Sequence, residues 1–279
     1  MEIIYRREVE QVEKLTEKAM TQEAQQRPTI IDNFSNRKLI NSREVICSGT
    51  TYIENDYEIP GYGPCTFVQV KGRSDQEYRQ SRSGIPINFI GKKLQDFDWN
   101  RYGINTEPQQ KTANAFVKRF DTFQAESKGL FIYSTTRGSG KSYLAAILMN
   151  ELIDIKQINP KFITAADLME LSKKAFKDEG SAEDFEKLFD VNLLTIDDLG
   201  TELGKAWDEN VLYRIINHRL SKNLITLYTS NVSIDKLKLE PRISDRIFSS
   251  TIPVIMPEVS IRNKLALEAN AAFLKQIIN

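Results

Sequence analysis

The stretch Gly129–Leu148, GLFIYSTTRGSGKSYLAAIL, constrains this chain more than any other. It opens with Leu130, Phe131, Ile132 and Tyr133, an apolar, β-branched and aromatic run of the kind that forms a strand buried on both faces. Small residues break the run, and a helix-forming segment resumes from Ser142 to Ile153. Strand, glycine-rich turn and helix in that order are the setting in which a phosphate-binding loop is credible. Against the pattern G-x-x-x-x-G-K-[ST], Gly140, Lys141 and Ser142 match, and Gly138 adds a further glycine. Thr135 stands where the first glycine belongs.

The chemistry of such a loop explains its residue types. Backbone N–H groups of Thr136 to Tyr143 would point at a polyphosphate, at the end of a helix whose dipole favours negative charge. Gly138, Ser139 and Gly140 are small enough for the main chain to approach the ligand closely. Lys141 would neutralise the outer phosphates and the Ser142 hydroxyl would ligate Mg²⁺. The bland alternative is a strand-to-helix turn carrying a surface lysine.

Downstream residues weigh against that alternative. Val191–Gly200, VNLLTIDDLG, is an apolar strand ending in two carboxylates. Asp197 fits the acid that holds Mg²⁺ through its water shell, and Asp198 is placed to orient or deprotonate an attacking water. Leu224–Asn231, LITLYTSN, reads as the next buried strand. At its polar end Asn231 either senses the terminal phosphate or caps the helix that begins near Ser233. Arg242 and Arg246 share one face of a helix, offered either to a neighbouring subunit's nucleotide or to Glu240 and Asp245.

The rest of the chain sets the frame. Strand and helix patterns alternate from Lys161–Thr164 through Thr251–Met256 to a last helix, Ile261–Ile278, which argues a parallel sheet with helices on both faces. A helix is expected over Gln109–Phe123, after Pro108. Glu2 to about Gln26 has helical apolar spacing, whereas Arg27–Gly84 is broken by glycines and prolines, with Thr51–Ile53 and Thr66–Val70 as possible strand pairs. The 38 basic residues balance 38 acidic ones, so nucleic acid must be met by a local patch or by assembly; Lys173, Lys174 and Lys177 form one modest cluster. No signal-peptide core or membrane-spanning run is seen, and two cysteines make no disulfide scaffold, so a cytoplasmic location is expected. Cys47 and Cys65, with His218 far away, lack paired zinc-ligand spacing, and zinc is not expected.

These motifs together resemble AAA+ helicase loaders of the bacterial and phage DnaC/DnaI type, and the related IstB transposition helpers. The resemblance runs from about Ile85 to Arg262. It rests on SGIPINF with DFDW, GSGKSYLAA, FITAADLMEL, TIDDLGTE, LYTSN, RISDRI and VSIRNKLA. It implies an α/β AAA+ P-loop NTPase, its parallel sheet flanked by helices, with a reduced lid and a small N-terminal helical or irregular domain. Residues 1–90 would hold a partner and 91–279 would form the ATPase. By resemblance, ATP is bound, Asn231 is a sensor, Arg246 the finger completing a neighbour's site, and Arg262 a second sensor. The implied partners are a DnaB-type replicative helicase, single-stranded DNA and further copies of the chain. An IstB-like helper assembling on duplex DNA is the principal alternative, with a small-molecule P-loop kinase and a slow nucleotide switch behind it.

Overall fold

The alternation read from the sequence takes shape in a computed structural model that describes residues 37–47, 50–61, 63–71, 75–200 and 206–278. The expected helix over Glu2–Gln26 lies outside these residues. The chain divides into two units, the first ending at Asp75 and the second beginning at Gln76.

The described part of the first unit is an antiparallel meander: β1 (Lys38–Cys47), β2 (Thr50–Ile59) and β3 (Gly63–Val70) in that order. Both candidate strand segments fall within it. Cross-strand pairs hold it. The Tyr57 and Phe67 rings meet edge to face at 5.7 Å, Arg43 pairs with Glu54 at 2.6 Å, and the Thr66 hydroxyl donates to Asp56. Its surface leaves Leu39, Ile40, Ile46 and Val68 exposed.

The second unit opens within α1 (Asp75–Arg82), and the chain then runs along the edge of a second sheet. Phe162 N–H donates to the Ser83 carbonyl at 2.7 Å, and Ile85 is buried in the core. Gly84 is required there, because a Cβ would lie 2.4 Å from the Phe162 carbonyl oxygen. The expected boundary lay at 90/91; the units divide at 75/76, and this pairing places the SGIP turn within the second unit.

The helix expected over Gln109–Phe123 is interrupted at Arg119, giving α2 (Glu107–Lys118) and α3 (Phe120–Ala125). The α/β body follows as β4 (Gly129–Tyr133), α4 (Lys141–Lys156), β5 (Lys161–Thr164), α5 (Ala165–Lys174) and α6 (Glu179–Asp190). It continues with β6 (Leu193–Asp197), α7 (Ala206–Ser221), β7 (Ile225–Ser230), α8 (Pro241–Ser249), β8 (Thr251–Ile255) and α9 (Ile261–Ile278). All strand pairs are parallel, in the order β5-β6-β7-β4-β8. The three central strands are mostly apolar because both faces are covered, and β6 and β7 are buried along their whole length.

Helix α4 is buried on nearly all sides, from Leu144 to Ile153, which is consistent with its lack of a polar face. The strand order reverses at β4, and a parallel sheet binds ligands in the crevice at such a switch point. The loop after β4 lies there, beside the ends of β6 and β7.

Candidate functional site

The loop leaving β4 turns on glycines in the left-handed region, Gly138 at φ 75° and Gly140 at φ 89°. It is supported from behind by an aromatic cluster that the DFDW segment supplies. The buried Tyr102 hydroxyl donates to the Ser139 carbonyl at 2.6 Å, and Phe97 stacks on Tyr143 at 5.6 Å. A Cβ on Gly140 would press on the Tyr102 hydroxyl at 3.0 Å. The Tyr143 ring is thereby engaged in packing against Phe97 and Phe89, so its share in the site is its position in the first turn of α4.

Lys141 reaches back into the loop. Its ammonium donates to the carbonyls of Ser134 (3.2 Å) and Thr136 (3.1 Å) and to the Ser139 hydroxyl (3.3 Å). Burial lowers its pKa, while Asp198, Glu258 and Asp197 favour the charged form and Arg262 opposes it. Four charged side chains from two distant segments therefore act on one ammonium.

The two acids at the end of β6 differ in environment. Asp197 is buried, and desolvation raises its pKa against hydrogen bonds from the Thr229 and Ser142 hydroxyls; the Thr229 bond is 2.5 Å. Asp198 is exposed and turns through φ 55°, a conformation that aspartate tolerates better than most residues. Its N–H donates to the Thr229 hydroxyl at 2.9 Å, and its carboxylate accepts from the Asn231 amide at 2.5 Å. Thr229 thus orients both acids, and Asn231 faces Asp198.

Ser142 and Asp197 offer a hydroxyl and a carboxylate in contact, an oxygen donor set of the kind that suits Mg²⁺ beside a triphosphate. Elsewhere among the described residues no three His, Cys, Asp or Glu side chains are gathered as metal ligands, and Cys65 has a free thiol. His218, on α7, meets Asp190 at 2.9 Å.

Arg262, at the start of α9, lies against the loop: its N–H donates to the Gly138 carbonyl at 3.1 Å. Arg246 is not brought to the loop of its own chain. It sits on α8 with its guanidinium 4.7 Å above the Tyr213 ring, donating to the Tyr213 hydroxyl, Asn217 and the Arg242 carbonyl. The Arg242 guanidinium lies 4.5 Å from the centre of the same ring and pairs with Glu240.

Sequence reading missed Thr229, Tyr102 and Glu258. Thr229 stood in view, two positions before Asn231 on a strand whose alternate residues share a face. Tyr102 and Glu258 carry no local signal. Glu258 accepts from Thr135 N–H (2.9 Å), Thr135 Oγ1 (2.7 Å) and Thr136 N–H (2.7 Å). Partial burial works against its ionisation, but these bonds from Thr136 and Thr135 hold its pKa down at about 2.

Comparison with known proteins gives the family. The family described as IstB-like ATP binding protein matches residues 86–252. The replicative helicase loader DnaC of Escherichia coli (strain K12) is 29% identical over 175 residues, covering 60% of this chain and 67% of that protein. The replicative helicase loader DnaI of Bacillus subtilis (strain 168) is 26% identical over 174 residues, covering 61% and 54%. A crystal structure of DnaI superposes with a TM-score of 0.53 at 26% identity, over 61% of this chain and 94% of that one. The chain belongs to the IstB-like ATP binding proteins and, within the AAA+ P-loop NTPases, to the DnaC/DnaI type.

Proposed function

We propose that this chain is an ATP-hydrolysing accessory factor that loads a DnaB-type replicative helicase onto single-stranded DNA. The observation that carries the reading is the convergence of Lys141, the Ser142–Asp197 pair and the Asp198–Asn231 pair at one strand-end crevice. Lys141 and the N–H groups from Gly138 to Tyr143 bind the phosphates; the Thr136 N–H, expected among them, is taken by the Glu258 carboxylate. Ser142 and Asp197 hold Mg²⁺, which when bound offsets negative charge on the phosphate oxygens. Asp198, exposed and aimed by Asn231, takes the proton of the attacking water or orients it. Arg262 adds positive charge on the far side of the loop.

Arg246 has a different assignment. Its seat on Tyr213 keeps it on α7 and α8, which supports its presentation to a second copy's nucleotide. Arg246→Ala mixed into wild-type protein is expected to lower turnover per wild-type subunit several-fold, the loss of one charge on the transferring phosphoryl group. A rate that simply follows the wild-type fraction would sink the finger assignment. Lys141→Ala serves as the binding-dead control, and turnover is read with and without single-stranded DNA.

For DNA, the turn after α5 offers more than the lysines did. Phe176 is 70% exposed and meets the half-exposed Trp207 ring at 5.1 Å. Lys174 is paired with Glu170 and Lys173 stands 3.7 Å from Asp208, so aromatic stacking matters more here than free charge. A stacked base is worth roughly 1–3 kcal/mol. Phe176→Ala should therefore weaken single-strand binding about tenfold in fluorescence anisotropy while leaving nucleotide affinity unchanged. The exposed apolar residues of the β1–β3 meander support the N-terminal unit as the helicase-holding part.

The match to IstB-like proteins supports a second reading, a helper that assembles on duplex DNA. Stronger binding to long duplex than to single strands of equal length would favour it.

A further inference from the structure

The limb of the loop that leaves β4 is fastened from one side by the segment after β8. Met256 N–H donates to the Tyr133 carbonyl at 2.8 Å, and the Ser134 hydroxyl lies 3.4 Å from the Pro257 carbonyl. Glu258 then takes both threonine N–H groups and the Thr135 hydroxyl, and Arg262 N–H closes on Gly138. The strap follows the loop almost residue by residue.

We propose that Glu258 is a positioning residue for the nucleotide loop, acting as a pair with Thr135. The argument starts from the departure at Thr135. A glycine there would supply no hydroxyl, so one of the bonds to Glu258 exists because the residue is threonine. The carboxylate spans two successive peptide units; the Ser134 carbonyl belongs to the first, the Thr136 carbonyl follows the second, and both seat the Lys141 ammonium. Moving the threonine amides moves those carbonyls, and with them the lysine. None of these bonds reaches Lys141, Asp197 or Asp198; they fasten the loop backbone, beside the charge by which Glu258 also favours the Lys141 ammonium. The same strap carries on into α9, so the loop and the start of that helix share one hydrogen-bonded unit.

The proposal rests on the reading of this loop as the nucleotide site, and its test separates the two. Full-length wild type, Lys141→Ala, Glu258→Ala, Glu258→Gln, Thr135→Gly and the Glu258→Ala/Thr135→Gly double variant are titrated with a fluorescent ATP analogue. Deuterium exchange of the 130–140 peptide is followed without nucleotide, and the thermal midpoint is recorded. Charge-assisted bonds at an exposed carboxylate predict a five- to tenfold loss of affinity in Glu258→Ala, with faster exchange at the Thr135 and Thr136 amides. Glu258→Gln keeps an acceptor and should recover part of both. Glu258→Ala should cost less in the Thr135→Gly background, because one bond has already gone.

If Lys141→Ala loses binding while Glu258→Ala binds within twofold of wild type, the pairing is wrong and the site stands. If wild type binds no nucleotide, or Lys141→Ala binds as wild type does, the site reading falls and takes the proposal with it. A loss in Glu258→Ala that follows a lowered thermal midpoint and is equal in Glu258→Gln marks a structural contact and overturns the positioning role.

Discussion

Lys141→Ala will weaken nucleotide binding by about 100-fold or more and abolish turnover. The ammonium is largely removed from water, and three oxygen acceptors of the loop already aim it at the crevice. A charge-assisted hydrogen bond contributes roughly 1.5–3 kcal/mol, and a phosphate group in this position would receive at least one along with the lysine's charge. At about 1.4 kcal/mol per tenfold, two such contributions account for the expected loss. Lys141→Arg will not restore binding, because a planar guanidinium cannot occupy a seat shaped by the Ser134 and Thr136 carbonyls around a compact ammonium. Titration with a labelled ATP analogue decides the matter. An affinity within threefold of wild type in Lys141→Ala would remove the lysine from the binding machinery.

The largest effect on stability is expected far from the nucleotide. Arg219, in the last turn of α7, is completely buried, and its guanidinium donates to the carbonyls of Leu188, Phe189, Val191 and Ile225 and to the Thr226 hydroxyl. Burial draws its pKa down to about 10, which still leaves it charged at neutral pH. It satisfies carbonyls at the C-terminal end of α6 and at the start of β7 together. Replacing it with Met keeps most of the volume and leaves those carbonyls unmatched at about 1–3 kcal/mol each. Allowing for relaxation, Arg219→Met should lose ~3–5 kcal/mol of unfolding free energy in urea. A midpoint unchanged from wild type would mean that the carbonyls find other partners. Arg219→Lys, with fewer donors, should fall between the two.

Neither Arg219 nor Glu258 was legible beforehand. Arg219 lies in a helix among other charged residues and looks like surface charge until α6 and β7 close over it. Arg246 was legible as a residue type on the right helix, but the ring that seats it, Tyr213, belongs to α7 and appears in no motif. The boundary expected at 90/91 came with the family resemblance, whereas the division at 75/76 leaves Ser83, and the bond it accepts from Phe162, inside the second unit.

What the sequence by itself determined was local: the strand, glycine turn and helix from Gly129 onward, the acids that end β6, and the polar end of β7. Periodicity, glycine φ freedom and buried apolar runs act over a few residues, so they are readable in one dimension. What only the tertiary structure decided was which side chains support these parts. Glu258 reaches Thr135 across 123 positions of chain because β8 lies beside β4 in the sheet order. Hydrogen-bond partners at that separation depend on how the strands are arranged in space, and a single sequence carries no periodic signature of that arrangement.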